Sequence, residues 1–125
     1  MKYSIKIDHH LKLIRYKHSG LLKSNDIELA WKEFLGMEEF TELKYNLLSD
    51  YTDAEFDIPV DFLPELIEFM QNIKPIVEGK KQSLIVTGPF TTAASMLFET
   101  EVNKEVGFLV KVFSTEEKAL EWLLK

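Results

Sequence analysis

Four carboxylates crowd into a short stretch of the chain, and such a cluster raises the question of metal or acid–base chemistry. The stretch reads Asp50-Tyr51-Thr52-Asp53-Ala54-Glu55-Phe56-Asp57 and directly follows an apolar run. A calcium loop that began at Asp50 would need an oxygen ligand at its fifth position and a glycine at its sixth, where Ala54 and Glu55 stand. A catalytic carboxyl would need an apolar pocket that keeps it protonated. The pattern therefore favours a solvated acidic loop.

The acids at the end of this stretch have a further interpretation. Asp57 and Asp61 precede a predicted helix, and negative charge is electrostatically favoured near a helix N-terminus. Acidic side chains on such a surface can also bind a protein. We hypothesise that a protein partner binds to a surface formed by four acidic residues, Asp50, Asp53, Asp57 and Asp61.

A second set of polar residues stands where a buried strand is predicted to turn into a helix, in the segment Thr87-Gly88-Pro89-Phe90-Thr91-Thr92. Glycine, hydroxyl groups and a helix N-terminus are the components of many anion sites. Neither a Walker lysine nor a GxGxxG pattern accompanies them. Two interpretations stay open, a turn with a helix cap and an anion site formed by Gly88, Thr91 and Thr92.

Metal, thiol and serine chemistry find little support in the sequence. The chain has no cysteine, which removes disulfides, thiolate nucleophiles and cysteine-based zinc sites. Its histidines, His9, His10 and His18, fit a solvated turn and a strand end, and no carboxylate is placed beside them. A Gly-x-Ser-x-Gly nucleophile elbow is also missing. We therefore predict no enzyme activity, no metal and no cofactor.

Composition describes an ordinary acidic globular chain. Its 125 residues suit a single domain over residues 1–125. The net charge of -6, with no long run of Lys or Arg, disfavours binding to nucleic acid. No stretch is apolar for long enough to predict a membrane span or a signal peptide. We expect a soluble protein of the cytoplasm.

Apolar periodicity in the first part of the chain predicts two strands and a helix. Alternating residues at 3–7 and the segment 11–16 predict two strands joined by a turn, after which Gly20 is expected to break the pattern. Apolar residues at helical spacing from Ile27 to Leu35 predict a helix that Gly36 ends.

The remaining chain alternates between strands and helices. Residues 45–49 predict a strand that enters the acidic stretch, and an apolar stripe from Phe62 to Ile73 predicts the next helix. Residues 83–87 and 106–113 are almost wholly apolar, as in strands that are buried on both faces. A helix capped by Thr91 or Thr92 is predicted between these two strands.

The last helix is predicted after the capping box Ser114-Thr115-Glu116-Glu117. The order is therefore β-β-α-β-α-β-α-β-α. Such alternation predicts an α/β fold with a mixed, mostly parallel sheet of four to five strands, covered by about four helices. The first strand, which enters through a hairpin, is the expected antiparallel member.

This order, Asp50 at the end of the third strand, and the closing segment Val110-Lys111-Val112-Phe113-Ser114-Thr115-Glu116-Glu117-Lys118-Ala119-Leu120-Glu121-Trp122-Leu123 resemble the STAS-like family. That family takes its name from a domain shared by sulfate transporters and anti-sigma-factor antagonists. The resemblance is to free-standing bacterial single domains and covers nearly the whole chain. It implies a compact sheet with helices and no enzyme activity.

In the antagonist branch of that family, a serine at the start of the helix after the third strand is phosphorylated to switch partners. The corresponding residues 57–61 contain no hydroxyl, and Ser49 and Thr52 lie earlier. The chain therefore lacks the phosphorylatable serine of its relatives. We hypothesise that Asp57 or Asp61 supplies a fixed negative charge in its place.

Together, these observations predict a non-enzymatic protein-interaction or regulatory module that binds a protein partner or a second copy of itself. The alternative is a small-molecule binder, with an anion at Gly88–Thr92 or an apolar ligand between the helices and the sheet. Six large aromatic residues are expected to fill the core, but a small apolar cavity can lie among them. They are Trp31, Phe34, Phe62, Phe69, Phe98 and Phe108.

Overall fold

Five strands form one sheet in a computed structural model that describes residues 2–125. The strands are β1 (Tyr3–Asp8), β2 (Leu13–Lys23), β3 (Asn46–Asp57), β4 (Lys81–Ile85) and β5 (Leu109–Phe113). The helices are α1 (Ser24–Leu35), α2 (Glu38–Thr41), α3 (Phe62–Asn72), α4 (Lys74–Val77), α5 (Pro89–Val106) and α6 (Glu116–Leu123).

The strands lie in the order β1-β2-β3-β4-β5, so neighbours in the chain are neighbours in the sheet. Only the β1–β2 pair among these strands is antiparallel, and the other three pairs are parallel. The predicted α/β architecture with an antiparallel first strand is therefore confirmed. Within residues 2–125, no helix combines the length and the apolar character that a membrane span requires.

Two cores of unequal size cover the sheet. On the face that we call the helix-rich face, α1, α3 and α5 pack over strand residues such as Tyr16, Leu47 and Leu84. On the opposite face, the α6 residues Ala119 and Leu123 pack with a smaller cluster of strand residues. Both faces of the sheet have to be covered because β3 contains two consecutive apolar residues, Leu47 and Leu48, and neighbouring strand residues point to opposite sides.

Helix α1 brings its aromatic stripe onto the helix-rich face. The Trp31 ring meets Phe34, Phe40 and Phe108 edge to face, with ring centroids 5.3, 5.8 and 5.7 Å apart. Edge-to-face contacts of this kind are the favoured geometry of buried aromatic pairs. The helix begins at Ser24, and in its first turn the Asp26 carboxylate accepts a hydrogen bond from the Lys23 amide at 2.8 Å.

Strands β2 and β3 extend much further than the sequence predicted. They pair with each other from Leu13 and Asn46 to Lys23 and Asp57, so the acidic stretch is strand and not loop. Continuous pairing satisfies the backbone of both segments, which a solvated loop would leave to water. The prediction that Asp50 ends the third strand was therefore wrong.

Gly20 lies inside β2 and does not end it. Its positive φ of 87° suits glycine and follows the register shift between positions 17 and 19 of the strand. The expected break in the pattern is thus a local irregularity in a strand that continues. Glycine permits this backbone conformation without ending the β2–β3 ladder.

Strand β5 also differs from its prediction. It begins at Leu109 because Val106 ends α5 and Gly107, with a left-handed φ of 77°, caps that helix. The strand lies at an edge of the sheet, and Leu109 is 40% exposed. Burial on both faces was therefore predicted wrongly for β5, whereas in β4 the four residues from Gln82 to Ile85 are all buried.

We predict that Phe34→Ala lowers the free energy of unfolding by about 3–5 kcal/mol, the range for truncating a buried aromatic residue. Phe34 is 2% exposed and contacts both Trp31 and Phe40. Urea unfolding followed by circular dichroism measures the loss. The matched control is Phe90→Ala, since Phe90 is 59% exposed and should lose about 1 kcal/mol or less. Equal losses in the two variants would contradict the assigned core.

Candidate functional site

An apolar cavity of about 250 Å³ lies between the helix-rich face of the sheet and the helices above it. Residues of β2, β3 and β4 form its floor, and residues of α1, α3 and α5 form its walls. The segment between β3 and α3 closes one side. The lining residues are Leu22, Ile27, Trp31, Tyr51, Phe56, Ile58, Pro59, Val60, Phe62, Leu63, Leu66, Gln82, Leu84, Phe90, Ala93, Ala94, Ser95, Leu97 and Phe98.

Small side chains on α5 leave room for this cavity. Ala93, Ala94 and Ser95 are consecutive on the helix and all line the space. Because interiors otherwise pack as densely as organic crystals, a space of this size among core residues is a distinct feature of the fold.

Two aromatic side chains of β3 reach the cavity because the strand contains an extra residue. In a regular strand Tyr51 and Phe56 would face opposite sides of the sheet, since side chains alternate. Strand β2 advances from 17 to 19 while β3 advances from 50 to 53, so β3 gains one residue against its partner. Both rings consequently line the cavity, with centroids 5.6 Å apart.

The rim of the cavity is apolar and exposed. Val60 is 91% exposed, and Phe90 and Leu97 are each 59% exposed. All three belong to the lining, so they mark where the cavity opens to solvent. Clustered exposed apolar residues are typical of binding surfaces.

Few polar groups line the cavity, and one of them lacks a partner. Gln82 is 3% exposed, and its Nε2 donates a hydrogen bond to Ser49 Oγ at 3.0 Å. Its Oε1 is a buried side-chain atom without a hydrogen-bond partner among the described residues. A buried acceptor left in this way costs free energy unless another group donates to it.

The hydroxyl of Tyr51 is the other notable polar group. Burial raises the pKa of Tyr51 above the ordinary value of 10.0. The phenol therefore stays neutral at physiological pH and can donate a hydrogen bond. Among residues 2–125, the lining includes no Asp, Glu, Lys, Arg or His side chain. The lining of the cavity is therefore uncharged and mostly apolar.

The structure brings Asp50 and Asp53 together, but away from the cavity. Lys17 Nζ lies 3.8 Å from Asp50 Oδ2 and 3.2 Å from Asp53 Oδ2. The hydrogen bond that Lys17 donates to the Asp53 carboxylate and the negative charge of Asp50 raise the pKa of Lys17. The two ion pairs of Lys17 offset the repulsion between the carboxylates of β3, so that this acidic strand can lie beside β2. The partner-binding hypothesis for these residues stays a prediction.

Asp57 and Asp61 lie apart from that ion pair. Asp57 is the last residue of β3, and Asp61 directly precedes α3, in agreement with the predicted helix start. Both residues are exposed, and the Asp61 side chain forms no capping hydrogen bond. Their proposed role as a fixed negative charge is neither supported nor opposed by this geometry.

Helix α5 begins earlier than predicted, which changes the place of the hydroxyls in the second candidate site. Its first residue is Pro89, which suits a first turn, and Gly88 is the N-cap with a φ of 81°. Thr91 and Thr92 therefore lie within the helix and do not cap it, and Thr91 is buried. The anion-binding hypothesis for Gly88, Thr91 and Thr92 stays a prediction.

His18 does not lie at a solvated strand end, contrary to the prediction. It is fully buried within β2, and its Nε2 donates a hydrogen bond to the Leu21 carbonyl at 2.9 Å. The Tyr16 hydroxyl lies 3.2 Å from the other ring nitrogen, Nδ1. Both nitrogens are thus engaged in the core. Residues 2–125 contain no group of three or more His, Asp or Glu side chains placed to hold a metal ion.

Sequence reasoning missed Gln82 as a functional residue, although a signal was present. Gln82 directly precedes the predicted buried strand 83–87, and a polar amide needs a partner if that strand begins one residue earlier. The small residues Ala93, Ala94 and Ser95 follow in the next predicted helix. The two features together could have indicated a cavity with a polar group in its floor.

We predict that Tyr51→Phe reduces the alkaline loss of stability. The Tyr51 phenol ionises more easily in the unfolded chain than in the folded one. Its contribution to the free energy of unfolding is therefore complete below pH 10.0 and is lost as the pH rises through the higher pKa of the folded state. Between about pH 9 and pH 11 the wild type should lose roughly 1 kcal/mol more than the variant. Urea unfolding at both pH values measures this difference. Identical losses would mean that Tyr51 is not buried as described.

Comparison with known proteins identifies the fold. No protein-family model matches the chain, and no curated protein sequence matches it. Among solved structures, the chain is similar to an uncharacterised protein from the DUF3478 family with a SpoIIAA-like fold, from Shewanella loihica PV-4. The TM-score is 0.64 at 16% identity, and the match covers 97% of this chain and 93% of that chain. The chain therefore has a SpoIIAA-like fold, which is the STAS-like fold that its sequence predicted.

Proposed function

We propose that the chain is a non-enzymatic binding protein for a small, mostly apolar molecule, which it holds in the cavity between the sheet and α1, α3 and α5. The observation that carries this proposal is the apolar cavity of about 250 Å³ with its exposed apolar rim. Concave apolar sites with a few placed polar groups are the usual form of small-molecule sites. An apolar ligand between the helices and the sheet was one of the alternatives that the sequence left open.

The size of the cavity limits the ligand. Since an apolar cavity of about 150 Å³ holds benzene, with its six non-hydrogen atoms, a cavity of 250 Å³ has room for roughly ten. A ligand with a longer chain would extend past the rim. An apolar cavity of about 150 Å³ in another protein is known to bind benzene, so a larger aromatic ring is a reasonable probe here.

The regulatory or protein-interaction function remains the second candidate. The same exposed residues, Val60, Phe90 and Leu97, support it, because an apolar surface patch can also contact a protein. The two functions differ in what they respond to. A small-molecule binder gains thermal stability from an apolar compound, whereas an interaction module changes its mass with a partner or a second copy.

We predict that naphthalene, a neutral apolar compound, binds the wild-type chain and raises its melting temperature. Ala94→Met should weaken this binding at least tenfold, because the longer side chain occupies the space that Ala94 leaves. At a ligand concentration one hundred times Kd, the wild type should gain about 2.7 kcal/mol of stability. Calorimetric titration gives the affinity, and thermal unfolding followed by circular dichroism gives the stabilisation.

The matched control for this experiment is Thr100→Met on the same helix. Thr100 is exposed and lies outside the lining, so its substitution should leave naphthalene affinity within about twofold of the wild type. Absence of binding to the wild type, or equal weakening in both variants, would contradict the proposed function. A doubled mass in light scattering would then favour the interaction module.

A further inference from the structure

The floor of the cavity contains an unused hydrogen-bond acceptor. Gln82 lies in β4 on the helix-rich face, between Leu47 of β3 and Val110 of β5. Its amide nitrogen is committed to Ser49 Oγ at 3.0 Å, which holds the side chain in place. The amide oxygen has no partner within residues 2–125, although Gln82 is 3% exposed.

Among the fully buried side-chain nitrogen and oxygen atoms of residues 2–125, this acceptor is the one without a hydrogen-bond partner. Buried His18, for example, uses both ring nitrogens, and buried Ser83 donates to the Ala119 carbonyl at 3.2 Å. Buried side-chain acceptors in native proteins almost always have a donor, and an exception requires an explanation. Because Gln82 also lines the cavity, a donor on a bound molecule would explain this exception.

We propose that the Gln82 amide is the subsite for the polar end of the ligand, so that the ligand is a neutral amphiphile that carries a hydrogen-bond donor and lies with that donor toward the sheet. The chemical class is a medium-chain primary alcohol or amide. This inference rests on the proposed function and adds to it the chemistry and the orientation of the ligand.

The side chains that line the cavity favour a neutral ligand. Among the described residues, no cationic side chain borders the cavity that could pair with a carboxylate or a phosphate. A carboxylate beside Gln82 Oε1 would place two acceptors together in an apolar site, which is unfavourable. An alcohol avoids both costs because its hydroxyl donates to Oε1.

The apolar rim of the cavity favours a ligand whose polar end points inward. Val60, Phe90 and Leu97 surround the opening and offer only apolar side chains to the outer part of a ligand. Gln82, which carries the unpartnered acceptor, lies in β4 of the sheet. An alkyl chain therefore fits the outer half of the site, and a hydroxyl fits the inner half. This arrangement is the reverse of a site that leaves a charged head group in water.

The binding affinities of two isomeric ligands distinguish the proposed hydrogen bond to Gln82 from binding by apolar contacts alone. 1-Octanol and heptyl methyl ether have the same atoms, but only the alcohol carries a donor. We expect the wild type to bind the alcohol roughly tenfold more tightly, the effect of about one good hydrogen bond. In Gln82→Met, which keeps the side-chain length, the ether should bind as tightly as the alcohol or more tightly. Calorimetric titration at pH 7.5 measures all four affinities.

Octanoate provides the test of charge. At pH 7.5 it is ionised, and we expect the wild type to bind it at least tenfold more weakly than 1-octanol, because the lining has no cation to pair with it. Tighter binding of octanoate than of the alcohol would overturn the inference that the ligand is neutral.

Nuclear magnetic resonance tests the orientation without any substitution, and so does not depend on the folding of Gln82→Met. Cross-relaxation should connect the hydroxyl-bearing methylene of 1-octanol with the Gln82 side chain, and the terminal methyl with Phe90. The reverse pattern would overturn the proposed orientation. Equal affinity of the wild type for the alcohol and the ether would overturn the subsite but leave the proposed function intact. Failure of both isomers and of naphthalene to bind would overturn both proposals.

Discussion

The parallel pairing of β2 with β3 is the constraint on which the candidate site depends. The two strands stay paired from Leu13 and Asn46 to Lys23 and Asp57, well beyond the end of β4 at Ile85. Leu22, Tyr51 and Phe56 reach the cavity only because this part of the sheet extends so far. Without the pairing, the acidic half of β3 would be a loop, and the floor of the cavity would be incomplete.

Charge and geometry act together at this pairing. Lys17 contacts Asp50 and Asp53 on the side of the sheet away from the cavity, which offsets the repulsion that an acidic strand would otherwise meet. These carboxylates thus have a structural role whether or not they bind a partner. The extra residue of β3 at this place turns two aromatic rings to the opposite side. A cluster that suggested metal or acid–base chemistry in the sequence therefore helps to build an apolar site.

Local patterns were sufficient to predict most of the fold. The stripe from Ile27 to Leu35 and the polar segment before α6 are local signals, and both helices formed where these signals lie. The cap of α6 differs from the predicted capping box, since Thr115 is the N-cap and its side chain accepts a hydrogen bond from the Lys118 amide. The full length of β2 and β3 could not be predicted. Gly20 and the acidic residues of β3 are unfavourable in a strand, and only the pairing of β2 with β3, which the local sequence does not show, overrides this preference. The place of His18 in the core follows from the same long-range pairing. The cavity itself was predicted only as a possibility without residues, since an empty space depends on how α3, α5 and the sheet approach one another.

The central claim of this account is that the space between the sheet and α5 is an accessible apolar site and not a gap that closes in solution. A crystal structure determined under xenon pressure tests it most directly, because xenon enters apolar cavities of this size without needing a polar contact. The account predicts a xenon atom in contact with Leu84, Leu66 and Phe98. Crystals without xenon there, in which the side chains of α3 and α5 have moved together over β4, would contradict it.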